Sequence, residues 1–180
     1  MAKNTMANRC GLDLKIYAYT ADGTIADEAT PLAVIDFANE VSIELASDMV
    51  WATGGQEHNK IVGFNNPIEG TLKVSTQMVN MELLTLISGG DVSAASTKVS
   101  FKNSKSVPKF YIIKGETVWV GEDGKSYAET ITAFKACAKR NYNVTYNGDG
   151  DPQSLDVEFE LGANAENSVM DIDREVEAGA

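Results

Sequence analysis

Leu12, Leu14, Ile16 and Ala18 alternate with Asp13, Lys15, Tyr17 and Tyr19. A period of two places the first set on one face of a strand and the second set on the other. The same alternation recurs at Val41, Ile43 and Leu45 against Ser42, Glu44 and Ala46. It returns at Ile68, Gly70, Leu72 and Val74 against Glu69, Thr71, Lys73 and Ser75, and at Leu155, Val157, Phe159 and Leu161 against Ser154, Asp156, Glu158 and Glu160. One dry face and one wet face per strand is the signature of antiparallel sheets packed on one side. The fold class expected is mainly β, an antiparallel β-sandwich or split barrel.

Shorter or less regular runs add strands. Residues 99–102 form a short one. Residues 109–114 and 117–120 are apolar on both faces and flank Gly115-Glu116, read as a turn. Glu122-Asp123-Gly124-Lys125 is a strong hairpin turn. Beyond it, residues 126–140 carry Thr130-Ile131-Thr132, which favours one long strand with a bulge over a helix.

A single segment breaks the pattern. In residues 77–88, Met78, Val79, Met81, Leu83, Leu84, Leu86 and Ile87 form a broad stripe at helical spacing. Ser75-Thr76 offers an N-cap and Gly89-Gly90 a stop. So wide a stripe needs a large apolar partner, and the dry sheet faces supply it.

Turns are expected at residues 21–24, 53–55, 65–67 and 147–152. The connection over 46–67 is long, and loops of that length are usually functional. It carries Met49, Val50, Trp51, Ile61, Val62 and Phe64, so it is either a long hairpin or a segment that packs on a partner. Residues 1–10 read as an N-terminal arm. Residues 163–180 alternate acidic and apolar positions up to Val176, as a last strand or a C-terminal arm. The whole of 1–180 is one domain, and no internal repeat is present.

Composition narrows the function. The 180 residues include 26 Asp+Glu against 15 Lys+Arg, a net charge of −11. Hydrophobic residues at 43% and charged residues at 23% are ordinary globular values. A chain this long buries about 70% of its unfolded surface, enough to fold without staples. No run approaches the ~18 apolar residues of a membrane-spanning helix, and residues 1–9 lack the apolar stretch of a secretory signal. No membrane partner is expected. Net acidity argues against gripping nucleic acid, because phosphate binding needs clustered Lys and Arg. It suits a surface that must not adhere to it.

Candidate chemistry is sparse. Cys10 and Cys137 form no C-x-x-C and are expected as reduced thiols. His58, the only imidazole, lies in a polar loop-like run, and zinc or triad chemistry would have to use it. Asn147-x-Asp149-x-Asp151 with Glu158 has the spacing of an EF-hand loop. Position six is Pro152 where that loop needs a glycine, however, and the flanks read as strands. Asp171, Asp173, Glu175 and Glu177 share one strand face if extended, which describes a solvated acidic face. Phosphate-cradling glycine loops are absent. Tyr17 and Tyr19 on a wet face suit either ligand stacking or a subunit contact. These residues predict no enzyme and no cofactor. Two-faced strands with open edges suit a protein whose edges are closed by copies of itself, and a head-to-tail interface that closes makes a ring.

Ile68-Glu69-Gly70-Thr71-Leu72-Lys73-Val74-Ser75-Thr76-Gln77-Met78-Val79-Asn80-Met81-Glu82-Leu83-Leu84-Thr85-Leu86-Ile87-Ser88-Gly89 resembles the strand-to-helix segment of tailed-bacteriophage major tail proteins. Gly148-Asp149-Gly150-Asp151-Pro152-Gln153-Ser154-Leu155-Asp156-Val157-Glu158-Phe159 resembles the Gly-Asp-Pro turn and following strand late in the same family. The resemblance implies a β-sandwich or split barrel with a packed helix, assembled as hexameric rings that stack into a tube. It implies an acidic lumen that conducts DNA without binding it, with Glu44, Glu69, Glu158 and Glu160 as lumen-facing candidates. Trp51 and Phe64, in the 46–67 stacking loop, are the ring-stacking candidates. Implied partners are further copies of the chain, a tape measure protein, a tail terminator, baseplate or initiator proteins, passing DNA and, in a contractile tail, a sheath. The implied location is the virion tail, after assembly in the host bacterial cytoplasm. Two other readings stay open. One is a monomeric β-sandwich module that binds a glycan or a protein. The other is a calcium-dependent adhesion domain using Asn147, Asp149, Asp151 and Glu158.

Overall fold

A computed structural model describes residues 6–8, 11–25, 30–35, 38–54, 59–77, 80–89, 98–101, 107–144 and 154–176. The period-two segments are strands with the expected dry sides: β2 (Asp13–Ala18) buries Leu14 and Ile16, β7 (Glu69–Thr76) buries Leu72 and Val74, and β10 (Leu155–Gly162) buries Leu155, Val157, Phe159 and Leu161. With β1 (Met6–Asn8), β3 (Ala33–Ile35), β4 (Ala38–Ala46), β8 (Phe110–Gly121), β9 (Ser126–Ala138) and β11 (Met170–Val176), they form one antiparallel sheet of nine strands. Its order is β3-β2-β8-β9-β10-β7-β4, with β1 added on β8 and β11 on β9.

The sheet folds into two layers because β9 changes partner along its length. Its first half, Tyr127 to Ala133, pairs with β11, and its last residues, Lys135 to Ala138, pair with β10. Between the two, Tyr111 pairs with Ala136 and Ile113 with Ala133, so β9 carries one residue more than β8. This is the expected bulge, and bulges bend the strand that holds them. Leu14, Ile113, Ile131 and Ala133 of the first layer then meet Ile43, Leu72 and Leu161 of the second around one interior pocket. The fold is mostly β and matches a β-sandwich. Among the described residues the barrel does not close, since β3 and β4 end the order unpaired with each other.

Helix α1 (Met81–Ser88) covers the core with Leu83, Leu86 and Ile87. It is shorter than the expected 77–88, and its cap is not Ser75-Thr76. Asn80 takes that place: its Oδ1 accepts from the Leu83 N–H at 2.8 Å, and its Nδ2 donates to the Val34 carbonyl at 2.9 Å, tying the helix to β3. Thr76 instead closes strand β7, fully buried between Ala38 and Leu155. Gly89 ends the helix in the left-handed region, at φ 78°.

Two expected features are corrected. Gly115-Glu116 is not a turn, because β8 runs unbroken through it, with Gly115 paired to Leu14 and Ile131. A Cβ on Gly115 would come within 3.0–3.1 Å of the Leu12 and Leu14 side chains, so the glycine serves close approach, not chain reversal. Residues 99–101 form no strand, and Lys102 lies outside the described residues. The hairpin at 122–125 is as expected, with Gly124 at φ 76° and Asp123 Oδ1 accepting from the Lys125 N–H. Of the arms, Met6–Asn8 pair with β8 and Met170–Val176 pair with β9, so both ends add strands to the sheet. The rest of 1–10, His58, residues 145–153 with the EF-hand-like spacing, and 177–180 lie outside the described residues.

Candidate functional site

The wet face of β4, β7 and β10 gathers carboxylates from three separate parts of the chain. Register decides this: Glu44 and Glu160 both pair with Thr71, Glu158 and Ser42 both pair with Lys73, and Glu40 and Asp156 both pair with Ser75. Paired residues point to the same side of a sheet, and Glu69, two residues before Thr71, joins them. The opposite side carries Val41, Ile43, Leu72, Val74, Val157 and Phe159 and faces the core. The four acidic residues expected together, Glu44, Glu69, Glu158 and Glu160, therefore do share one solvent-facing surface. Asp156, which alternation already put on the wet face of its strand, and Glu40, one residue before the alternating run of β4, were not among the lumen candidates and stand on the same surface.

Lys73 and Lys139 temper the negative field. Lys139 Nζ lies 2.7 Å from Glu158 Oε1 and 3.4 Å from Glu160 Oε1. The hydrogen bond from Lys139 holds the Glu158 carboxyl below its ordinary range and pushes the Lys139 ammonium up. Glu158 thus has a lysine partner. Glu40, Ser42, Lys73, Asn141, Asp156 and Glu158 line a shallow groove at the end of this face away from Glu69. Cys137, paired with Glu160, is a free thiol; burial first, and then the Glu160 carboxylate, push it above its ordinary value. Among the described residues, no cluster of three or more His, Cys, Asp or Glu is placed to hold a metal ion, and no helix is long and apolar enough to cross a membrane.

The segment over 46–67 is a hairpin and not an irregular loop. Strand β5 (Met49–Gly54) pairs with β6 (Asn59–Asn65) as a separate two-stranded sheet. Its base is closed by the Asn66 N–H donating to the Asp48 carbonyl and the Ser47 hydroxyl donating to the Asn66 carbonyl. Val50 pairs with Phe64 and Ala52 with Val62 on one face, all exposed. On the other face Met49 and Trp51 lean over Gly63, where a Cβ would come within 3.1–3.3 Å of them. Lys60 Nζ sits 5.2 Å from the centre of a Trp51 ring. An isolated two-stranded hairpin is marginal in water, and apolar side chains on both faces make it more so. Both expected stacking residues, Trp51 and Phe64, are thus on the hairpin, on opposite faces. Tyr17 is half-buried, and Tyr19 packs its ring 5.8 Å from that of Phe110.

No family model matches the chain, and no curated protein matches it. Among solved structures, the chain is similar to the crystal structure of Hcp protein at 13% identity, with a TM-score of 0.37, covering 91% of this chain and 98% of that one. That likeness is distant.

Proposed function

We propose that this protein is a structural subunit that assembles with copies of itself into a tube. The observation that carries the reading is the β5–β6 hairpin, whose apolar side chains are exposed on both faces. Such a surface is costly for a monomer and ordinary for an interface. Rings of six, stacked through Trp51 and Phe64 of the hairpin, follow the resemblance of residues 68–89 and 148–159 to major tail proteins.

In this reading the acidic face of β4, β7 and β10 lines the lumen, and the protein is not an enzyme. A wall bearing Glu44, Glu69, Glu158 and Glu160 repels DNA phosphates, so DNA passes down the channel without adhering. The setting is a phage or phage-like tail assembled in a bacterial cytoplasm. Its further partners would be a tape measure protein, a terminator and a baseplate, with a sheath in a contractile tail.

The test is negative-stain electron microscopy of the purified protein beside size-exclusion chromatography at rising concentration. Hollow rings or tubes are expected. A monomer at every concentration, including with an added initiator complex, overturns the reading in favour of a monomeric binding module.

A further inference from the structure

We propose that Met49 is an oxidation site, at which hydrogen peroxide turns an apolar face of the hairpin polar and so switches its association off. The inference rests on the self-assembly reading for its consequence and adds a chemical modification that controls it.

Pairing in the β5–β6 hairpin puts Met49, Trp51 and Thr53 on one face, with Asn65, Gly63 and Lys60 across from them. Lys60 reaches that face because the register shifts between Ala52 and Thr53, which leaves Ile61 unpaired. A Cβ on Gly63 would come 3.1 Å from Met49 Sδ and 3.2 Å from Trp51 Cζ3. Thioether and indole therefore lie together over the bare glycine backbone, and sulfur beside an aromatic ring is a favourable contact. Lys60 Nζ stands 5.2 Å from the centre of a Trp51 ring.

Among the methionines whose side chains are described, Met49 is the exposed one, at 52%. Met81 and Met170 are half-buried, and Met170 lines the interior pocket. A small oxidant thus reaches Met49 without unfolding the chain. The step is a two-electron oxygen transfer. A sulfur lone pair attacks one peroxide oxygen, an S–O bond forms, the O–O bond breaks, and the second oxygen takes the protons and leaves as water. Sulfur is oxidised and peroxide is reduced, with no other reactant. The product oxygen is a strong acceptor where the thioether was apolar. Asn65, directly across from Met49, and Lys60 are the donors on that face. Drawing them to the sulfoxide replaces an apolar strip with a hydrated polar cluster, which opposes burial against an apolar partner.

Peroxide treatment of the full chain, followed by peptide mapping and sedimentation velocity, tests this. Sulfoxide at Met49 is expected to form about tenfold faster than at Met170. The oxidised protein is expected to need about tenfold more protein than the untreated one to associate. Methionine sulfoxide reductases should restore association, and both stereospecific forms are needed because the sulfoxide sulfur is chiral. In Met49→Leu the same peroxide dose should leave the association curve where it was before treatment. Met49 oxidising no faster than Met170 overturns the site. Oxidised wild type associating like untreated protein, or Met49→Leu losing association to peroxide as wild type does, overturns the switch. Wild type that never associates overturns the self-assembly reading and the switch with it, while the peptide map still decides whether Met49 is the reactive sulfur.

Discussion

Phe64 lies directly across from Val50 in the β5–β6 hairpin, and the two side chains are 60% and 54% exposed. Neither supports the core of its own chain, so replacing both with serine is expected to change unfolding stability by no more than about 0.5 kcal/mol. The same pair of substitutions is expected to abolish self-association. Denaturant melts beside sedimentation of the same samples separate the two effects.

Charge on the β4–β7–β10 face is expected to govern how an assembled tube treats DNA. Glu44→Lys with Glu69→Lys alters two exposed positions and leaves the core untouched. Tubes should still form but should retain DNA, and the retention should weaken steeply with salt as phosphate contacts do. In a tail, DNA release should slow. Release at the wild-type rate with tubes intact would remove these two residues from the channel wall.

Arg174 of β11 reaches Glu129 of β9 through an ion pair, and its guanidinium stacks 5.1 Å from the Trp119 ring. The Glu129 side chain is buried while that of Arg174 is partly exposed. Removing the arginine strands a buried carboxylate, so Arg174→Ala is expected to destabilise by about 3 kcal/mol. Adding Glu129→Gln should restore part of the loss, since the stranded charge goes with it. A double-mutant cycle in urea reads the coupling.

Acid should loosen the fold through the lowered carboxyls. Hydrogen bonds from Lys15 and then Lys114 hold Glu116 below its ordinary value of 4.5. A carboxylate lowered in the folded state gives stability that is present above its unfolded pKa and lost as pH falls through the folded one. Stability is therefore expected to decline below pH 4.5, and Glu116→Gln should flatten that decline. The side chains are half-exposed, so the pair contributes no more than about 1 kcal/mol. Lys15, raised above 10.5 by the same hydrogen bond, runs the other way: its share is present below 10.5 and is lost as pH rises through the folded value. Thermal melts across pH, wild type against Glu116→Gln, check both limbs.

Gly115→Ala is expected to destabilise by about 1–3 kcal/mol, the usual range for overpacking, because the new Cβ would come within 3.0–3.1 Å of the Leu12 and Leu14 side chains. Denaturant unfolding beside wild type measures the cost, and a change below about 0.5 kcal/mol would show that the Leu12 and Leu14 side chains give way.

Much of this was legible in the chain alone. Alternation at Leu14 and Ile16, at Leu72 and Val74 and from Leu155 to Leu161 marked three strands and their buried sides, because a pleated strand turns every second residue to the same face. Helical spacing around Leu83, Leu86 and Ile87 marked helix α1. Its start was misplaced because Ser75-Thr76 and Asn80 are all competent caps, and only the pairing of Thr76 with Ala38 and Leu155 excluded the first. Gly115 was misread for a similar reason: a glycine before a polar residue looks like a turn unless the neighbours that crowd it are known.

Local pattern alone settles which residues face in or out on each strand, where the hairpin at Gly124 turns, and how acidic the chain is. These follow from backbone periodicity and side-chain chemistry within a few residues. That Glu44, Glu69, Glu158 and Glu160 meet on one face came from the three-dimensional pairing, because register lays β10 against β7 and β7 against β4, strands that are far from adjacent in the chain. The same pairing makes 46–67 a hairpin standing apart from the sheet. That outcome depends on the rest of the chain filling its core without those apolar side chains, and no local pattern in 46–67 carries that information.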